Sequence, residues 1–144
     1  MTPQLALLLP GDPDTPTGGY LYDRRMVEAL RALGWQVRVV SLDASFPAPT
    51  ADALEAADRV LAALPDELPV MVDGLAFGAM PELARRHGAR LRLVALVHHP
   101  LAHETGLDAA RARMLHESER AALDAARAVI VTSPETTARL QREF

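Results

Sequence analysis

The residues with chemistry to offer lie in two stretches of the chain. His98-His99 closes the run Leu91-Arg92-Leu93-Val94-Ala95-Leu96-Val97, with His103 and Glu104 a few residues on. Imidazole titrates near neutral pH, so a histidine at the end of a buried strand suits proton transfer or hydrogen bonding to a ligand. It also suits a structural cap on the strand, and the spacing leaves both roles open. Adjacent strand residues point to opposite faces, so His98 and His99 address one ligand only if the backbone bends. The second stretch is Leu5 to Tyr20, an apolar run ending at Pro10, a polar loop, and the pair Gly18-Gly19 opening an amphipathic segment. A helix start carries free N–H groups and partial positive charge, and glycine lets a ligand approach the backbone. Gly18-Gly19 reads either as a tight turn or as such a site. The loop is longer than the ~2–6 residues usual between strand and helix, which favours the site.

Other polar groups are weaker candidates. His98, His99, His103 and Glu104 share one loop with no H-E-x-x-H spacing, so no metal centre is expected. Asp73 ends a short apolar run before Gly74 and either binds a hydroxyl or shapes an Asp-Gly turn. Glu117 and Glu119 face solvent or turn into a cleft. Ser133, before Pro134-Glu135, is most simply a helix cap. The chain has no Cys, no G-x-S-x-G and no G-x-G-x-x-G, which argues against thiol catalysis, a serine hydrolase and the usual dinucleotide site.

The elements that must position these groups alternate. Strands are expected over about 4–9, 35–42, 69–73, 90–98 and 128–132. Helices are expected over about 19–33, 51–64, 81–87, 108–127 and from 134 to the end. The first strand is apolar on both faces, as in a parallel sheet covered on both sides. In the first helix Met26, Val27, Leu30 and Leu33 form the apolar stripe and Gly34 ends it. This β-α alternation predicts an α/β fold, a Rossmann-like three-layer sandwich with a mainly parallel sheet of about five strands. Right-handed crossovers place the strand C-termini, and with them Gly18-Gly19, Asp73 and His98, on one edge.

The 144 residues suit a single domain, and 49% hydrophobic residues suffice for a core. Net charge is −4, so nothing points to nucleic acid as a partner; that all 15 basic residues are Arg reads as a compositional bias. No apolar run approaches a membrane span, and the start lacks a basic leader. A cytoplasmic protein is expected, free or at the inner face of the membrane.

Several stretches together resemble the N-terminal domain of family 4 (group 1) glycosyltransferases of GT-B fold. They are Thr17-Gly18-Gly19 after the first strand, the helix ending Ala29-Leu30-Arg31-Ala32-Leu33-Gly34-Trp35-Gln36-Val37, and Val97-His98-His99-Pro100. A fourth runs from Glu119 to Ser133, similar to E-x-x-x-x-x-x-A-D-x-V-I-x-x-S, with Arg127 in the usual Asp position. Trp35 stands where the family often has His. The resemblance implies sugar transfer from a nucleotide-sugar donor to an unidentified acceptor, usually with retention, and no metal cofactor. It implies His98 near the reacting centre, with Gly18, Gly19, Tyr20, Asp73, His99, Glu104 and Ser133 as substrate-binding residues. The donor motifs belong to a C-terminal domain, so 1–144 is expected to be the acceptor-side half, its partner domain absent and its cleft face open to self-association. Other readings are a stand-alone α/β binding module and another GT-B enzyme such as a sugar-nucleotide epimerase.

Overall fold

The computed structural model describes residues 1–144. Five parallel strands form one sheet in the order β2-β1-β3-β4-β5: β1 (Gln4–Pro10), β2 (Gln36–Leu42), β3 (Pro69–Asp73), β4 (Arg92–Val97) and β5 (Ala128–Val131). The helices are α1 (Gly18–Ala32), α2 (Ala51–Ala63), α3 (Gly74–Phe77), α4 (Pro81–Gly88), α5 (Ala109–Asp124) and α6 (Pro134–Glu143), with a 3-10 turn at Leu101–His103. This is the α/β three-layer architecture that the alternation predicts.

Burial follows the period of two. Ala6, Leu8, Val70, Val72, Leu93, Ala95 and Val97 face the larger core, built with α2, α4 and part of α5. Leu5, Leu7, Leu9, Val37, Met71 and Leu96 face the smaller one, covered by Tyr20 and Val27 of α1. β1 lies between β2 and β3, which is why its run Leu5–Leu9 is apolar on both faces. β2 and β5 are edges. Half of β2 is solvated, and Val129 and Ile130 of β5 are exposed.

Two expectations need correction. Leu33 is 77% exposed, because the helix ends at Ala32 and Leu33 is its C-cap, turned away by Gly34 at φ +94°. α3 is not expected from the sequence, since four residues carry no helical period; the Asp73 side chain caps it.

The strand order reverses at β1, whose neighbours β2 and β3 both follow it in sequence. Ligands of open parallel sheets bind outside the strand C-termini at this switch point. The residues after Pro10, Asp73 and Val97 meet there.

Candidate functional site

A cavity of about 540 Å³ opens at this edge. Of the residues picked out by sequence, it gathers Gly18, Gly19, Tyr20, Asp73, His98 and His99, and Glu104 as well. Ser133 is not among its lining residues. The Ser133 hydroxyl accepts the Thr136 N–H as the cap of α6, and Thr136 Oγ1 donates to the His98 carbonyl at 2.9 Å. His103 is also elsewhere, bound to Glu143 of α6 at 2.8 Å.

The start of α1 forms one wall. Thr17 is its N-cap, and its side chain accepts the Tyr20 N–H at 3.1 Å. The Gly18 and Gly19 N–H groups, in the first turn, have no acceptor within the helix. The glycines are there for different reasons. A Cβ on Gly19 would lie 3.0 Å from the His98 ring, whereas one on Gly18 would meet nothing within 4 Å. No packing in the fold therefore requires glycine at position 18, and its backbone faces open space. Gly18→Ala is expected to leave the melting temperature unchanged or raised by about 1–2 °C. Gly19→Ala must displace the His98 ring and should lower it by roughly 3–4 °C, read by circular dichroism.

His98 lies one residue past β4, where the chain turns, so both histidines line the cavity with different partners. His99 faces outward and pairs with Glu104 at 2.7 Å. His98 turns inward. Its Nε2 lies 3.0 Å from Asp23 Oδ1 and 3.4 Å from Asp73 Oδ2, and its Nδ1 lies 3.2 Å from Thr132 Oγ1. The edge of Tyr22 closes over the ring, with centroids 5.7 Å apart. Asp73 serves two ends at once, since its Oδ1 accepts the Leu75 N–H that starts α3.

Asp23 is the residue that sequence reasoning missed. It is 2% exposed, on the inward face of α1 one turn before Val27 and one turn after Gly19. A carboxylate on the apolar stripe of a helix needs a partner, and that was the available signal.

Charge within the cluster is set by burial and proximity. Burial opposes charge on His98, but hydrogen bonds to Asp23 and Asp73, with their negative charges, raise its pKa to about 9. The ring is an imidazolium at neutral pH and donates from both nitrogens. Burial raises Asp23 to about 6; His98 opposes the rise and Asp73 adds to it. Asp73 is also pushed up by burial, yet hydrogen bonds from His98, Asp23 and the Leu75 N–H hold it below the ordinary carboxylate range. Asp23 Oδ2 and Asp73 Oδ2 are buried with no hydrogen-bond partner, and only below about pH 6, where Asp23 takes up a proton, can one donate to the other. Burial and the charges of Asp73 and Asp23 push the Tyr20 phenol up to about 12, and it donates to the Pro10 carbonyl.

The ligand atoms of Asp23, Asp73 and His98 lie within 4.8 Å of one another, close enough to surround a metal ion if the ring gave up its proton. As the site stands, it offers the cavity two free amides beside a protonated ring whose own N–H groups are taken by Asp23, Asp73 and Thr132. No arginine lines it. A phosphate there meets the helix start beside His98 and His99, opposed by Asp12, Asp73 and Glu104.

No protein-family model matches this sequence, and no curated protein is similar enough to match it. No helix is long and apolar enough to cross a membrane.

Proposed function

We propose that residues 1–144 form the acceptor-side domain of a retaining glycosyltransferase of GT-B type. The observation that carries this reading is the meeting of the Gly18-Gly19 amides and a charged His98 in one cavity at the switch point of the sheet. In such a transfer the bond between the anomeric carbon and the donor phosphate oxygen breaks. The acceptor oxygen bonds to that carbon on the same face, and the acceptor proton passes to the departing phosphate. Negative charge grows on the leaving group, and donors already aimed at it lower the barrier. The α1 amides supply such donors. His98, already protonated and with both N–H groups taken by Asp23, Asp73 and Thr132, is no base; it forms the fixed wall behind Gly19. With no arginine in the cavity, most of the diphosphate affinity has to come from a second, donor-binding domain. The reading includes no metal cofactor.

The isolated domain should therefore bind nucleotide sugars weakly, with millimolar affinity. Titration of ¹⁵N-labelled protein with UDP-glucose, GDP-mannose and ADP-glucose is expected to shift the Gly18 and Gly19 amides and the His98 ring signals with at least one of them. Shifts confined to another face of the sheet, or none with any donor, would contradict it.

A further inference from the structure

Glu119 is a buried carboxyl that the cavity does not use, 1% exposed on α5. Its Oε1 accepts the Leu101 N–H at 3.1 Å, while Oε2 is buried with no hydrogen-bond partner. Pro100 has no N–H, so the Leu101 amide is the first one after His99 by which the chain can be tied. On the other side stands Gly78, where a Cβ would come within 3.2 Å of Glu119 Oε2 and 2.7 Å of Leu101 Cδ1. The neighbouring Ser118 hydroxyl donates to the Gly78 carbonyl at 2.6 Å. One turn of α5 thus grips two loops at once, the one after α3 and the one after β4. A buried carboxyl costs more than an amide side chain would. Burial pushes it up to about 7 against the Leu101 N–H, and Glu143 adds to the rise.

We propose that Glu119 is a positioning residue for the cavity rim: by clamping Leu101 it fixes where His99 and Glu104 stand opposite Gly18-Gly19. Leu101 begins the 3-10 turn that separates His99 from Glu104, and those two side chains meet at 2.7 Å across it. His98 is held independently, through its carbonyl by Thr136 and through its ring by Asp23 and Asp73. The clamp should therefore govern the rim without disturbing the His98 ring. The inference holds whichever sugar or acceptor binds, and its test uses no ligand, so its failure leaves the proposed function standing.

The experiment compares Glu119→Met and Glu119→Gln by ¹H–¹⁵N spectra and amide exchange. Glutamine keeps an acceptor for Leu101; methionine fills the space without one. In the wild type and in Glu119→Gln, the Leu101 amide is expected to exchange at least tenfold more slowly than an unbonded loop amide. Glu119→Met should lose that protection and shift the His99, Leu101 and Glu104 signals, while the His98 ring N–H signal stays in place. Rim signals unmoved in Glu119→Met, or moved equally in Glu119→Gln, would overturn the proposal. Should Glu119→Met fail to fold, a Leu101 amide exchanging freely in the wild type, or a Glu119→Gln variant with displaced rim signals, would overturn it as well.

Discussion

His98→Ala is expected to lower the melting temperature by roughly 6–20 °C at pH 7.5, and by clearly less at pH 5. The ring is the cation between Asp23 and Asp73, which are 2% and 0% exposed. Removing one partner of a buried ion pair costs about 3–5 kcal/mol, because the charge left behind cannot reach water. At this chain length each kcal/mol is worth roughly 2–4 °C. At pH 5 Asp23, with its pKa raised to about 6, is mostly protonated, and a single buried charge is left uncompensated. Thermal unfolding of the variant at both pH values checks this, and equal losses would refute it. Asp23→Asn added to His98→Ala should recover part of the loss at pH 7.5, a coupling expected only between groups that touch.

The second large effect is a fall in stability as pH rises from about 4 to 9. Within this window three groups titrate above their ordinary values, Asp23 at about 6, Glu119 at about 7 and His98 at about 9, while the raised Tyr20 titrates beyond it. For each, the folded chain holds the proton more tightly than the unfolded chain. Its contribution is whole below the ordinary value and is lost as pH climbs through the raised one. Asp43, Asp58 and Asp73 are lowered, by the hydroxyl of Ser45, by His87, and by His98 against burial respectively. Their contributions are lost on the acid side instead, which puts the maximum near pH 4–5. Asp23 and His98 draw on the same contact and solvent reaches part of each site, so their shifts do not add in full. The expected loss between pH 5 and 9 is roughly 3–5 kcal/mol in urea unfolding. Glu119→Gln should remove the part between about pH 4.5 and 7. Equal unfolding free energies at pH 5 and pH 9 would contradict these protonation states.

How much of this was legible in the sequence depended on period and position. Hydrophobic spacing places all five strands, and the apolar β1 marks itself as central because both its faces are covered. α3 is illegible, being too short for a period and started by one side chain, Asp73. His98 stands out because a strand ends there. Its partner Asp23 lies 75 residues earlier in sequence, on a helix whose stripe was read from its apolar members alone. The Gly18-Gly19 pair reads as one motif, yet Gly19 makes room for His98 and Gly18 faces the cavity. Glu119 looks like any helical glutamate until Leu101, across a loop, takes its carboxyl.

Sugar transfer itself is tested most directly on the protein made from the whole reading frame that contains these residues. It is incubated with a panel of nucleoside-diphosphate sugars, and nucleoside-diphosphate release and glycosylated product are followed by mass spectrometry. Wild-type protein should turn over one of the donors. Gly18→Val, which adds a side chain to a residue lining the cavity where a Cβ meets nothing within 4 Å, should fold normally and lose at least a hundredfold in kcat/KM, about 3 kcal/mol of transition-state binding. Release from no donor, or a Gly18→Val variant as fast as wild type, would contradict a glycosyl-transfer site at the start of α1.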